Sequence, residues 1–169
     1  MKKILIVSAT SNSNYQLAKD LEGILVSLDA KVSVLSLEDY ILPLYTTKKD
    51  ELSSEDDIQK VKELTDFFIN NDGIIIAGPE YNGSIAPIIT NSIAWISTTT
   101  NYWRDAFLNK IGLVVTSSGG AGNKFLVSMK IQLEHLGVVV MPRFICVNDS
   151  SPLKKDSSEK ILKQFINLI

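Results

Sequence analysis

Short runs of β-branched and leucine residues alternate with longer amphipathic segments along this chain. The runs are Ile4 to Val7, Val32 to Leu35, Ile74 to Ala77, Ile111 to Val115, and Val138 to Val140 with a continuation through Ile145. They are apolar at successive rather than alternate positions, the pattern of strands covered on both faces in a parallel sheet. Between them, residues 14–28 place Leu17, Leu21, Ile24, Leu25 and Leu28 at helical spacing, and residues 57–70 do so with Ile58, Val61, Leu64, Phe67 and Phe68. Further helices are predicted over residues 86–96, over 124–136 and from 156 to the carboxyl terminus. Ser54 ahead of Asp57 makes a capping pair with Asp in place of Glu, and Gly137 after Leu136 makes a helix stop. Strand and helix alternating five times, through right-handed crossovers, predict an α/β fold. It is a three-layer, doubly wound sheet of five parallel strands in the order 2-1-3-4-5 with helices on both faces. Residues 1–169 read as a single domain, with no internal repeat, low-complexity tract or dividing linker. The longest irregular piece, residues 37–53, has a length that usually marks a functional or mobile loop.

Composition narrows the classes. The 169 residues are 45% hydrophobic and 21% charged, as in ordinary globular proteins. A net charge of −2, from 17 basic and 19 acidic residues, provides no global field to recruit nucleic acid or an acidic membrane surface. Cys146 has no second cysteine to pair with, and one His with one Cys lacks metal-ligand spacing, so a reducing cytoplasm and no metal are expected. The run after Met1-Lys2-Lys3 ends within four residues, too short for a signal peptide or a membrane span, and reads as a buried first strand.

In such a sheet the loops after the strands gather at one edge, where ligands bind near the switch point between the first and third strands. Three of them carry candidate chemistry. The first, Ser8 to Asn14, has four hydroxyls, two amides and no charge. Backbone N–H groups at a helix start, aided by the helix dipole and by Ser, Thr and Asn donors, suit a phosphate; a plain N-cap with turn residues fits equally. The glycines and lysine of a Walker loop, and the glycines of a dinucleotide fingerprint, are missing. The second loop, Gly78-Pro79-Glu80-Tyr81-Asn82-Gly83-Ser84, offers Tyr81 and its peptide groups to a flat heteroaromatic ring, though in isolation it reads as an Asn-Gly turn before a helix. The third, Thr116 to Gly122, has three glycines that let a planar ligand approach the backbone, or simply make a flexible connection. Taken together, the three describe one pocket with a phosphate end and a ring end.

At these residues the chain resembles the NADPH-dependent FMN reductase group of flavodoxin-like proteins, which includes quinone, azo-dye and chromate reductases. Pro79-Glu80-Tyr81-Asn82-Gly83-Ser84 matches that group's loop. So does the following Asn91-Ser92-Ile93-Ala94-Trp95-Ile96-Ser97, where members usually carry Asn-x-x-Asp-Trp-x-Ser. Ser117-Ser118-Gly119-Gly120 resembles its third flavin loop, and Leu42-Pro43-Leu44-Tyr45 the element after its second strand. The likeness weakens beyond Val147. Two departures stand out. Members show Gly-Ser-x-Arg-x-x-Ser-x-Asn in the first loop, whereas here Ser8 and Ala9 take the Gly-Ser positions, Ser11 falls where Arg is expected and the loop is one residue shorter. A hydrogen bond to a charged group is worth about 1.5–3 kcal/mol, so loss of the arginine lowers FMN affinity by roughly one to two decades unless the hydroxyls compensate. The second is Ala94 in place of Asp.

The resemblance implies a cytoplasmic FMN-dependent oxidoreductase, a homodimer or homotetramer, that passes hydride from NADPH or NADH through the flavin to quinone, azo, nitro, metal or flavin acceptors. Its implied flavin contacts are Thr10, Ser11, Ser13 and Asn14 at the phosphate, Pro79, Glu80, Tyr81 and Asn82 along the ring, and Ser117, Ser118, Gly119 and Gly120 at its far edge. Since the flavin carries the chemistry, no catalytic side chain is assigned. The alternatives are a flavodoxin-type electron carrier and a cofactor-free binding protein on the same fold. His135 reads as a cap or surface residue and Cys146 as inert core. Trp95, Tyr102 and Trp103 read as a dimer surface or as monomer packing, and only Lys48, Lys49 and Arg104 are loose candidates for a nucleotide 2′-phosphate.

Overall fold

The computed structural model describes residues 1–47 and 54–169. Lys48, Lys49 and the end of the 37–53 loop lie outside them. In chain order the elements are β1 (Lys3–Ser8), α1 (Ser13–Ser27), β2 (Lys31–Ser36), α2 (Glu55–Ile69), β3 (Gly73–Ala77), β4 (Glu80–Tyr81) and β5 (Ser84–Ile85). They continue with α3 (Pro87–Thr98), β6 (Ile111–Ser117), α4 (Asn123–His135), β7 (Val139–Val140), β8 (Ile145–Val147) and α5 (Lys155–Leu168). Every predicted helix is present with its ends shifted by at most two residues, and Ser54 Oγ caps α2 by accepting the Asp57 N–H at 3.0 Å.

The main sheet is parallel, in the order β2-β1-β3-β6-β7, which is the predicted 2-1-3-4-5 arrangement. Its central strands β1, β3 and β6 are buried on both faces because their alternating side chains enter two separate cores. Leu5, Val7, Ile74, Ile76 and Val114 pack with Val61, Leu64 and Phe68 of α2, Ile89, Ile93 and Ile96 of α3, and Phe125, Met129 and Leu133 of α4. Ile4, Ile6, Ile75, Leu113 and Val115 pack with Leu17, Leu21 and Leu25 of α1 and with Ile161, Leu162 and Phe165 of α5.

The fifth position is split. β7 pairs with the start of β6 (Val139 opposite Ile111) and β8 with its end (Ile145 opposite Val115), so six steps on one strand face four on the other. Pro142 stands in the gap and has no N–H to give the ladder. The sequence missed a hairpin too: β4 and β5 pair antiparallel across Asn82 (φ 50°) and Gly83 (φ 71°), the two left-handed residues of a type I′ turn.

At the carboxyl edge the strands end level. Ser8 lies opposite Ala77, Ala77 opposite Val115 and Ser117 opposite Val147. Pairing continues past the ends: the Ala9 N–H donates to Ala77 O (2.8 Å), the Gly78 N–H to Val115 O (3.2 Å) and the Ser118 N–H to Val147 O (3.1 Å). All three candidate loops therefore leave the sheet from the same rim.

Gly122, just before α4, is left-handed (φ 64°), and a Cβ there would come within 2.7 Å of Thr116 Cγ2. Gly122→Ala is expected to cost about 2 kcal/mol in denaturant unfolding, since the left-handed backbone alone costs an L-residue roughly 1–2 kcal/mol. Gly23→Ala, in the exposed interior of α1 with nothing within 4 Å of the added carbon, is expected to stabilise by about 0.5–1 kcal/mol. Equal effects at the two sites would contradict this account of Gly122.

Candidate active site

The three loops and the end of β8 enclose a cleft of about 510 Å³, within the roughly 300–1,000 Å³ common for ligand sites. Of the sequence-predicted residues, Ser13, Asn14, Pro79, Glu80, Tyr81, Ser117, Ser118 and Gly119 line it. Thr10, Ser11, Asn82 and Gly120 belong to the same loops but lie outside its lining. The cleft also has a wall that sequence reasoning missed, made by Val147, Asn148, Asp149 and Pro152 after β8. A signal was there: Asn148-Asp149-Ser150-Ser151-Pro152 is a turn-rich segment directly after an apolar strand, as in the other three loops.

Asn14 is 1% exposed and works as a clasp. Its Nδ2 donates to Ser117 O at 2.9 Å, and its Oδ1 accepts the Ser117 N–H at 2.8 Å, so one amide ties the first loop to the third across 103 residues. Thr10 Oγ1 donates to Asn12 Oδ1 at 2.7 Å, and Ser8 Oγ to Thr10 O at 2.6 Å, which folds the first loop on itself. Ser11 is held from the side by β2: its N–H donates to Glu38 Oε2 at 2.7 Å, and its Oγ lies 2.9 Å from Ser36 Oγ. The start of α1 receives no side-chain cap and no acidic residue in its first turn, which leaves donors there for an anion.

The N-terminus of α4 is treated differently. Its own cap position is Gly122, without a side chain, and Glu80 reaches over from the hairpin to accept the N–H of Lys124 at 2.9 Å and of Phe125 at 3.4 Å. Glu80 thus fixes the hairpin against α4, a role no local pattern announces, because cap and helix are 44 residues apart. Tyr81 stands half-exposed on the rim with Asn82 at the hairpin tip, and Pro79 is buried beneath them.

Gly119 and Gly120 have no left-handed backbone, and a Cβ built on either meets no protein atom within 4 Å. Asn148 secures this loop from the fourth wall by donating through Nδ2 to Gly120 O at 3.3 Å. Beside it, the Cys146 thiol donates to Ala121 O at 3.1 Å, and partial burial pushes its pKa up, away from the reactive thiolate.

Residues 1–151 match the NADPH-dependent FMN reductase family. The chain belongs to that family. Among curated relatives of this FMN reductase family member is an uncharacterized protein of Mycoplasma pneumoniae, 28% identical over 130 residues, covering 75% of this chain and 74% of that one. A second match, 38% identical over 63 residues, is to the NADH:(hydroxy)cinnamate reductase subunit CrdA of Vibrio ruber and spans 37% of this chain but only 29% of that protein. In three dimensions the chain resembles FerB, a flavoenzyme NAD(P)H:(acceptor) oxidoreductase of Paracoccus denitrificans (TM-score 0.76, 21% identity, 99% and 95% coverage). It also resembles Flavodoxin 1 of Bacillus cereus (TM-score 0.61, 15% identity, 99% and 97% coverage). These two likenesses establish the flavodoxin-like fold.

The family motif around α3 has a structural explanation. Asn91 and Trp95, one turn apart, clamp the Leu42–Tyr45 segment: Asn91 Nδ2 and Trp95 Nε1 donate to Pro43 O at 3.0 and 2.8 Å, and Asn91 Oδ1 accepts the Tyr45 N–H at 2.8 Å. Trp95 is accordingly buried within the subunit, while Tyr102 and Trp103 stay on the surface, Trp103 beneath the Arg104 guanidinium and beside His135.

Glu80→Ala is expected to lower stability by about 1–2 kcal/mol in chemical unfolding, the usual range for removing a charged helix cap. An unchanged unfolding midpoint would overturn the capping role of Glu80.

Proposed function

We propose that the cleft binds FMN and that the chain is an NAD(P)H-dependent oxidoreductase delivering reducing equivalents to small acceptors of the quinone, azo, nitro, metal-oxyanion or flavin kind. The observation that carries this is Gly119, which lines the cleft. Neither backbone conformation nor packing demands glycine there, so a flat ligand lying against the bare backbone is what excludes a side chain. Tyr81 and the buried Pro79 face the same cleft from the second loop, as a surface for the ring. Ser13 and the uncapped first turn of α1, with Thr10 and Ser11 in the adjoining loop, form the phosphate end, and Asn14 sets the distance between the two ends. Asn82, Ser117 and Ser118 complete the ring end, with Glu80 holding the hairpin in position rather than moving a proton.

Bound flavin supplies the hydride relay between nicotinamide and acceptor. The protein orients and shelters it, and no side-chain acid or base is required. The half-exposed Tyr81 and the open side of the cleft leave room for nicotinamide and acceptor to visit in turn. That arrangement suits broad acceptor chemistry, because one exposed face serves both partners.

Purified protein reconstituted with FMN is expected to be yellow and to bleach on anaerobic addition of NADPH or NADH, followed in the visible spectrum. Failure to take up FMN overturns the reading in favour of a cofactor-free protein, and a yellow protein inert to both nicotinamides favours an electron carrier. Tyr81→Glu and Gly119→Val are each expected to weaken FMN by about tenfold or more, equivalent to about 1.4 kcal/mol, with cooperative unfolding at the wild-type midpoint. Unaltered affinity in both variants would remove these loops from the ring site.

A further inference from the structure

The Ser11 amide stands in the first loop, next to the Asn12 at which the cleft lining begins, and it already holds an anion. Its N–H donates to Glu38 Oε2 at 2.7 Å. Glu38 is presented deliberately: it stands in a single 3-10 turn (Leu37–Asp39) after β2, and Ser36 Oγ accepts its N–H at 3.3 Å while also meeting Ser11 Oγ at 2.9 Å. Ser36 pairs with Ser8 in the sheet, so the carboxylate reaches the loop from the end of the neighbouring strand. Among the described residues no cation pairs with it. Residues 8–14 contain none, the position where the resemblance expects arginine is Ser11 itself, and among the described residues Glu38 makes no ion pair. The nearest charge along the chain, Asp39, is also negative.

One N–H carries one hydrogen, so a phosphate oxygen and the Glu38 carboxylate cannot both take it, and two anions within hydrogen-bond range repel. We propose that Glu38 is an internal competitor for the flavin phosphate, a specificity residue that removes most of the advantage FMN would hold over a flavin without phosphate. This rests on the reading of the cleft as a flavin site. A phosphate entering the loop must first displace a charge-assisted hydrogen bond, and what it gains is reduced by what the protein loses. The chain then discriminates little between FMN and riboflavin, as befits flavin that is exchanged rather than retained.

Flavin fluorescence titrations of wild type, Glu38→Gln and Glu38→Ala with FMN and with riboflavin test this. Wild type is expected to bind the two within about tenfold of each other, and both variants to tighten FMN by about tenfold while leaving riboflavin within about twofold. The gain should shrink as salt rises. In wild type the Ser11 amide resonance is expected to shift on adding FMN and to stay in place with riboflavin, a readout independent of turnover. Equal changes for both flavins, or none for FMN, overturn the competitor role. If no variant and not wild type binds either flavin, the flavin reading of the cleft itself falls, and the inference with it. Glu38 is exposed, so each variant is expected to lose no more stability than the tenfold effect assigned to the bond, about 1.4 kcal/mol, and a larger loss would mark a structural role instead.

Discussion

One buried amide sets the width of the cleft. Asn14 faces neither solvent nor an apolar core; both polar ends of its side chain are used on the Ser117 backbone, which locks the start of α1 to the end of β6. Removing it would leave the part-buried Ser117 N–H and C=O without this partner as well as unclasp two loops, at a cost toward the low end of the about 1–3 kcal/mol of an unmet buried group. The remaining walls follow from it. With the first and third loops fixed, the hairpin between them is held at one side by the sheet, through the Gly78 N–H to Val115 O, and at the other by Glu80 on α4.

The cleft is thereby built from backbone held in place by side chains that point elsewhere. Glu80, Asn14 and Ser36 each spend a polar atom on the protein, and the cavity is lined by hydroxyls, amides, the Tyr81 ring and the carboxylates of Glu80 and Asp149. A cleft lined by two carboxylates and, among the described residues, no cation gives an anionic group no ion pair, so hydrogen bonds and shape must orient a ligand that brings its own reactivity. The two helix starts near the cleft divide the electrostatic work. The α4 terminus is neutralised by the Glu80 carboxylate on its first-turn amides, whereas the first turn of α1 has no such partner and the Glu38 carboxylate sits on the Ser11 amide just ahead of it.

How far the sequence reveals this depends on the range of the interaction. Strands and helices were legible because burial on one or both faces writes a local period of two or of three to four residues. The level strand ends then followed from topology, and with them the meeting of residues 8–14, 78–84 and 116–122. The hairpin was half legible: Asn82-Gly83 signals a turn, yet pairs of two residues are too short to show alternation. The break of the fifth strand was marked by Pro142 but read as continuous, because Val138 to Val140 and Ile145 are apolar on both sides of it. The roles of Asn14, Glu80 and Glu38 were invisible. Each acts on an amide 27 or more residues away, and a carboxylate aimed at a backbone N–H has the same sequence signature as one aimed at water.

The family motif around α3 shows why a specific match in sequence need not mark the chemistry. Asn91 and Trp95 are spent on the carbonyl of Pro43 and the amide of Tyr45, holding the segment after β2 against α3. That clamp constrains how the chain leaves β2, and the turn carrying Glu38 lies within this same connection, between Ser36 and Leu42. Motif and first loop are thus mechanically adjacent through one short stretch of backbone. A chain that keeps the clamp but carries Ser11 in place of an arginine keeps the family's architecture while altering the charge its first loop offers a ligand. Architecture and ligand preference are set by different residues of the same connection, and the second can drift without disturbing the first.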